Sequence, residues 1–398
     1  MRFFYNKWVL MLCVLPFIKP VIFTYIPLFD RIFDVLRIVS AAVIIILYLK
    51  NARISKLVVL FFLYFSVLFI STYIHKGQVF LSFINLVTVV CLCMLIELGI
   101  RNSPFVMMQS LCYLLSTFCY INFIFMIIEP DGICRYVLST AWNMHFIAGK
   151  NQLGLFLVGS IIISLLYSFV KYQKVKLFSV ILIIINIISL IIGKTGTGQV
   201  GISLAVILVF ISIKYKSKTI INYKNLLSIA VITFLSIVII RVQSIFSIVI
   251  EQILNKSMTF TGRTELWDLA IELFKKSPIL GYGFQNGEFI HVNNDVYSAH
   301  NEFLQKACEG GLVSVFIFMM ILIVGGSTLG KYKEHILSHI ISIGIFSSLI
   351  MMMTESTGNT NMIYILLPIG YFCDELIYCS KNFSGMEVSV VSEVLRRK

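Results

Sequence analysis

The chain has 398 residues, of which 59% are hydrophobic and only 13% are charged, and its mean hydropathy is +0.94. Soluble domains average about 25% charged residues, so this composition excludes an ordinary soluble protein. The formal net charge of +13 would suit nucleic acid, but the lysines and arginines lie in short gaps between apolar runs, where positive charge orients membrane spans. We therefore predict a polytopic membrane protein without a nucleic-acid partner.

Apolar runs recur along the whole chain. Because a span needs about 20 apolar residues, the runs can be laid out as about twelve spans. The runs lie near residues 8–28, 34–49, 57–74, 78–98, 105–128, 152–170, 177–193, 198–213, 225–241, 306–328, 336–353 and 362–379. The first run follows Arg2 and Lys7 and lacks a small-x-small cleavage site, so we interpret it as an uncleaved span. These runs predict an all-α fold in which residues 1–398 form a single integral membrane domain.

Basic clusters occupy alternate gaps between the runs. Examples are Lys50–Lys56, Lys171–Lys176, Lys214–Lys218 and the C-terminal Arg396–Lys398. By the positive-inside rule these gaps are cytoplasmic, which predicts an even number of spans and both termini in the cytoplasm. The same layout leaves the long loop 242–305 on the outer face.

The long outer loop contains a predicted amphipathic helix over residues 263–276. Apolar side chains recur there at helical spacing, and acidic side chains face elsewhere. Thr261 can cap the start of this helix, and Pro278 ends it. Such a helix can lie on the membrane surface with Trp267 at the interface.

Arg263 and His300 are the residues of this loop with the most useful chemistry. Arg263 would stand at a helix N-terminus, where backbone N–H groups favour an anion and a guanidinium adds a bidentate grip on phosphate. His300 directly precedes an apolar run and suits general-base catalysis at neutral pH. The alternatives are an interfacial arginine paired with lipid headgroups or Glu265, and a capped interfacial histidine. No second His or Cys lies at metal-ligand spacing, so no metal is predicted.

Three short motifs in and just after the loop resemble the O-antigen ligase and O-antigen polymerase (Wzy-type) superfamily. They are Gly262-Arg263 with Trp267, then Pro278 with Gly281-Tyr-Gly283, then Ala299-His-Asn301 with Leu304 and Gly310-Gly-Leu312. Their order, their spacing and their place in the long loop carry the resemblance.

The resemblance implies glycosyl transfer on the outer face of the bacterial inner membrane. The donor would be an oligosaccharide on undecaprenyl pyrophosphate, and no cofactor is implied. Arg263 would hold the pyrophosphate, and His300 would take the proton of the acceptor hydroxyl in an inverting, metal-independent displacement. The expected substrate-binding residues are Lys194, Arg241, Asn151, Lys150, Asn301, Glu302 and Trp267.

One element departs from the family pattern. Many members carry a Ser-Arg element between spans seven and eight, where this chain has Gly193-Lys-Thr-Gly-Thr-Gly-Gln199. Lys194 could replace the arginine as a point charge but not as a bidentate fork. Arg241 is the other candidate for a second cation. Residues Thr354–Ser356 and Asn359, between the last two spans, could bind sugar hydroxyls or form a solvated turn.

The predicted function is that of a surface polysaccharide polymerase, which transfers glycan to the next lipid-linked repeat unit. The alternative within the superfamily is a ligase that transfers glycan to lipid A–core. A lipid-linked sugar transporter is less favoured. Transporters have related halves and binding groups near the middle of the bilayer, whereas this chain has one dominant loop and few charges inside its spans. The expected partners are the lipid-linked donor, membrane lipid and a chain-length regulator protein.

Overall fold

The computed structural model of the protein describes residues 2–51, 53–132, 144–215, 221–241, 263–284, 290–292, 295–358 and 360–385. Within these residues the regular secondary structure is helical apart from one antiparallel hairpin of strands β1 (Ile290–Val292) and β2 (Asp295–Tyr297) and an isolated bridge between Met144 and Gly149. The predicted helical class is confirmed, and the hairpin in the long loop is a local exception.

The helices follow one another with short connections over most of the chain. In order they are α1 (Lys7–Val14), α2 (Pro27–Asn51), α3 (Lys56–Ile74), α4 (Val79–Asn102), α5 (Pro104–Ile128), α6 (Leu153–Tyr172), α7 (Leu177–Ile192), α8 (Gly196–Tyr215), α9 (Tyr223–Phe234), α10 (Arg263–Lys276), α11 (Glu302–Gly325), α12 (Ser327–Lys331), α13 (Ile336–Met352), α14 (Met362–Tyr371) and α15 (Cys373–Gly385). Short 3-10 turns cover Arg2–Tyr5, Leu15–Phe17 and Val21–Tyr25, and a π-helical turn, Leu235–Ile240, continues α9.

Among the described residues, eight helical segments are long and apolar enough to cross a membrane, counting α9 with its π-helical turn as one. The helices α14 and α15, bent by 67° relative to each other, raise this number to nine if they form one span. The segment Lys7–Phe17 and the helices α7 and α13 are apolar but shorter. A multispan helical protein is therefore confirmed, whereas the predicted number of spans is not.

The first predicted span, residues 8–28, does not form one continuous helix. Helix α1 has only 8 residues and is followed by 3-10 turns that contain or adjoin Pro16 and Pro20. Proline lacks a backbone N–H and interrupts the helical ladder. Arg37 of α2 donates from Nε to the carbonyl oxygen of Pro16 at 3.3 Å, which satisfies a backbone group that the break leaves free.

Helix α6 lies at the centre of the bundle. Its apolar stretch is completely buried, and the helix packs against α5, α7, α8, α13 and α15. Glycines allow this close approach, as is common between membrane helices. A Cβ added to Gly154 would lie 2.4 Å from Cα of Gly198 in α8, so the starts of α6 and α8 are in backbone contact.

The predicted helix at 263–276 is confirmed as α10, but its apolar face packs against protein. Trp267 and Ala270 are fully buried in a cluster with Val238, Leu304 and Cys308. The expectation that Trp267 lies at the membrane interface is therefore wrong, because the end of α9 and the start of α11 enclose the indole. The candidate cap Thr261 lies outside the described residues.

The segment after α10 is joined to a break in α11. Gly311 has φ 63° and ψ −165°, which is not helical. The break frees carbonyl oxygens of α11, and these accept from Tyr282 N at 2.7 Å and Gly283 N at 2.9 Å. Leu312 N donates in turn to the carbonyl oxygen of Pro278 at 2.7 Å. Two of the sequence motifs are thus the two halves of one backbone joint.

Candidate active site

Arg263 is the first residue of α10, and its guanidinium is paired with a carboxylate from a distant segment. Nη2 of Arg263 donates to Oε1 of Glu355, in the turn that follows α13. The side chain of Glu355 is 3% exposed and that of Arg263 is 18% exposed. Because buried charges need compensation, each of these two groups stabilises the other.

His300 stands directly before α11 in a left-handed conformation, with φ 45°, which is costly for a residue with a Cβ. Its Nδ1 lies 3.7 Å from Oε2 of Glu355, too far for a hydrogen bond but close enough for charge interaction. Within the described part of the chain this buried nitrogen has no hydrogen-bond partner. Arg263 and His300 thus face the two oxygens of one carboxylate.

Glu355 is the site residue whose position the sequence left undecided. The sequence allowed either sugar binding or a solvated turn, and burial to 3% exposure excludes the solvated turn. The available signal was an acidic residue between two apolar runs, since ionisable groups near spans are often functional. Asn359, the other polar residue considered there, lies outside the described residues.

Asn301 and Glu302, the residues after His300, point into the protein. Asn301 caps α11, because its Oδ1 accepts from Phe303 N and Leu304 N. Its Nδ2 donates to the carbonyl oxygen of Met353 at 2.8 Å. Oε2 of Glu302 accepts from Thr357 N at 2.8 Å. Both side chains therefore contact the turn that carries Glu355.

The turn before α8, which contains Lys194, also contacts this region. Lys194 is exposed and left-handed, with φ 51°. Three residues on, Oγ1 of Thr197 lies 3.3 Å from Oγ1 of Thr354. The neighbourhood of Lys150 and Asn151 approaches from another side, since a Cβ added to Gly358 would lie 2.5 Å from the side chain of Gln152. The turn 353–358 thus connects all the segments in which site residues were predicted, apart from the end of α9.

Arg241 belongs to the support of α10. It follows the π-helical turn of α9 and forms two hydrogen bonds to the carboxylate of Asp268, the longer of them 2.8 Å. Its Nη2 also donates to the carbonyl oxygen of Thr264 at 3.3 Å. Arg241 therefore contacts α10 one residue after Arg263, and Asp268 balances its charge. Trp267 anchors the same helix from the buried side.

His145 lies in a tight turn bridged by Met144 and Gly149 and is 1% exposed. Neither of its ring nitrogens has a hydrogen-bond partner among the described residues. Burial, and then the charge of Lys150, lower the pKa of His145 to about 4. The ring is beside the Lys194 turn, because a Cβ added to Gly193 would lie 3.4 Å from Nε2 of His145. His145 is therefore uncharged at neutral pH and lies beside the turn that contains Lys194.

An apolar cavity of about 390 Å³ borders this site. Side chains of α9, α10, α11 and α13 line it, among them Phe234, Phe274, Phe303 and Leu349. Glu302 is part of the same wall, two residues from His300. An apolar space thus begins next to the candidate base.

Comparison with known proteins agrees with this picture. The family model described as O-antigen ligase matches residues 180–319, an interval that contains Arg263 and His300 but not Glu355. The exopolysaccharide production protein ExoQ of Rhizobium meliloti (strain 1021) is 32% identical over 81 residues, which cover 17% of this chain and 19% of ExoQ. The match therefore spans about a fifth of that relative. Together these matches confirm the resemblance found in the sequence motifs: over this interval the chain is similar to the O-antigen ligase and O-antigen polymerase superfamily.

Proposed function

We propose that the protein is a membrane glycosyltransferase that moves an oligosaccharide from a polyprenyl-pyrophosphate carrier to a sugar hydroxyl, in the polymerisation of a surface polysaccharide. The observation that carries the proposal is the convergence of Arg263 and His300 on Glu355 beside an apolar cavity. A lipid-linked donor requires an anion-binding group and a base next to an apolar space.

In the proposed reaction the acceptor hydroxyl gives its proton to Nε2 of His300 while its oxygen attacks C1 of the donor sugar. The bond between C1 and the phosphate oxygen breaks, and the pyrophosphate of the carrier leaves with the electron pair. Attack opposite the leaving group inverts C1. Arg263 stabilises the charge that develops on the pyrophosphate. Because pyrophosphate is already a good leaving group, the proposal includes neither a nucleotide nor a metal.

Glu355 supports both partners in this proposal. Its Oε2 lies 3.7 Å from Nδ1 of His300, and a hydrogen bond formed there on closer approach would put the proton on Nδ1 and leave Nε2 as the base. Its Oε1 occupies one nitrogen of Arg263. A guanidinium has five N–H donors, so the remaining donors can hold phosphate oxygens while Glu355 keeps the group in place.

Lys194 is the better candidate for a second cation. It is exposed, and α8, which begins two residues later, contacts the Glu355 turn through Thr197 and Thr354. Both terminal nitrogens of Arg241 are already bonded to Asp268, whereas Glu355 takes only one nitrogen of Arg263. The polyprenyl chain is proposed to enter the apolar cavity, because burying apolar chain there removes it from water.

A ligase that transfers finished glycan to lipid A–core is the second candidate, favoured by the description of the matching family model. The name of ExoQ, which refers to exopolysaccharide production, favours polymerisation. Either reaction is proposed for the outer face of a bacterial inner membrane, with both termini in the cytoplasm. A chain-length regulator protein is the proposed partner of the polymerase.

Deletion of the gene tests the proposal. Core that carries a single repeat unit supports the polymerase, and long glycan that accumulates on the lipid carrier supports the ligase. The variants His300→Ala and Arg263→Ala should not restore surface glycan in the deletion strain, even when each is expressed at the wild-type level. Normal surface glycan from both variants would reject either enzyme.

A further inference from the structure

Two hydrogen bonds bracket Glu355. Met353, two residues before it, accepts at its carbonyl oxygen from Asn301 Nδ2 at 2.8 Å. Thr357, two residues after it, donates from its backbone N to Oε2 of Glu302 at 2.8 Å. His300, Asn301 and Glu302 are consecutive. The candidate base and both supports of the carboxylate beside it therefore come from one tripeptide at the start of α11.

The side chains of Asn301 and Glu302 are buried, as a supporting role requires. Asn301 is 0% exposed and Glu302 is 4% exposed. Lys306, one turn along α11, is shared by two carboxylates, because its Nζ lies 2.5 Å from Oε2 of Glu309 and 3.9 Å from Oε1 of Glu302. Gln305 continues the same polar network, since its Oε1 accepts from Ala299 N at 3.0 Å. The network thus holds the backbone on both sides of the candidate site.

We propose that Asn301 and Glu302 are positioning residues, which keep Glu355 between Arg263 and His300 and act on the reaction through it. This inference rests on the proposed glycosyl transfer. A carboxylate displaced by about 1 Å would alter the direction of the guanidinium and the distance to the imidazole together. Misplacement of that size can lower a rate on the order of 100-fold.

Asn301→Asp separates the support from the helix cap. Aspartate keeps the oxygen that caps α11 but has no N–H for the carbonyl oxygen of Met353. Glu302→Ala removes the acceptor for Thr357 N, and Glu302→Gln restores an acceptor oxygen without the charge. Asn6→Asp is the matched control, because Asn6 caps α1 by accepting from Trp8 N at 2.9 Å and lies at the other end of the chain.

The first measurement needs no substrate. Hydrogen–deuterium exchange of the full-length protein in lipid should show faster exchange in peptides that cover residues 353–358 for Asn301→Asp and Glu302→Ala. These peptides should exchange more slowly in Glu302→Gln than in Glu302→Ala, and at the wild-type rate in Asn6→Asp. Unchanged exchange at 353–358 in both test variants would overturn the proposal.

The second measurement is turnover of a fluorescent oligosaccharide on undecaprenyl pyrophosphate. We expect Asn301→Asp and Glu302→Ala to lower kcat on the order of 10- to 100-fold, while the donor KM changes by less than about threefold and Glu302→Gln recovers part of the loss. Faster exchange with unchanged kcat would show a merely structural role. Wild-type protein that transfers no glycan would overturn the proposed function itself, whereas active wild type with unaffected variants would overturn this inference alone.

Discussion

Asp268 of α10 accepts hydrogen bonds from both terminal nitrogens of Arg241. Arg241 also bonds the carbonyl oxygen of Thr264, so it fixes the turn that begins with Arg263 to the end of α9. The side chains of Arg241 and Asp268 are 28% and 56% exposed, and an exposed pair of this kind contributes only about 0.2–1 kcal/mol to stability. Its main consequence is the orientation of α10.

This relationship predicts that Arg241→Ala and Asp268→Ala have similar effects. Each should lower kcat about three- to tenfold, and the double variant should lose less than the product of the two, because residues in one contact are not additive. A double-mutant cycle on glycan transfer measures this. A rise in donor KM confined to Arg241→Ala would instead make Arg241 the second pyrophosphate ligand.

Glu355→Gln should reduce both activity and stability. The neutral amide leaves the charge of Arg263 uncompensated in a largely buried place, and breaking such a pair costs about 3–5 kcal/mol. We expect kcat to fall on the order of 100-fold and the unfolding midpoint in detergent to drop. Asp374→Asn, an exposed acid in α15, is the control. Wild-type turnover by Glu355→Gln would contradict the proposed role.

Lys194→Ala should weaken donor binding. Losing one exposed cation near pyrophosphate should raise the donor KM with kcat nearly unchanged, the pattern of lost uniform binding, and Lys194→Arg should retain affinity. Lys76→Ala is a close control, because Lys76 is also an exposed lysine with a left-handed backbone, φ 54°. Equal behaviour of the two alanine variants would argue against a cation site at Lys194.

Gly311→Ala should disrupt the joint between α11 and the segment after α10. A Cβ there would lie 2.1 Å from the carbonyl oxygen of Ile279, and φ 63° disfavours any L side chain. We expect much less folded protein in the membrane, measured by fluorescence size-exclusion chromatography. Gly330→Ala, whose added Cβ has no atom of the described residues within 4 Å, should express normally. Normal yield of Gly311→Ala would show that the break in α11 is not required.

Acid should destabilise the protein through His145. The native pKa of about 4 lies below the unfolded value of about 6.5, so the unfolded chain binds a proton first as the pH falls. The contribution of neutral His145 to the free energy of unfolding is therefore fully present above about pH 6.5. It is lost between about pH 6.5 and 4, which lowers stability by up to about 3 kcal/mol. Thermal unfolding of His145→Phe between these pH values should depend less on pH than that of wild type. Parallel curves would refute this.

Local patterns were sufficient to predict several features. The apolar stripe and the polar ends of 263–276 predicted α10, and both bounds agree with the structure. Arg263 and His300 were singled out because each was expected at the start of a helix, and the resemblance then implied their roles, which stay predictions. Signals of this type lie within a few residues of the feature they predict.

Features that depend on distant contacts were not predictable. Glu355 meets Arg263 across 92 positions of the chain, and periodicity contains no information on such pairing. The stripe on α10 indicated an apolar face but not its partner, so Trp267 was assigned to the membrane interface although the structure buries it against α11. The sequence also could not show that Asn301 and Glu302 point inward.

The joint at Gly311 has a further consequence for how this loop can evolve. Pro278, Tyr282 and Gly283 are held by main-chain hydrogen bonds to α11, and main-chain groups are the same in every residue except proline. The attachment therefore requires a backbone shape and a few glycines, while side chains between them can be exchanged. The side chains of this segment can thus change without rebuilding the connection that keeps it on the bundle.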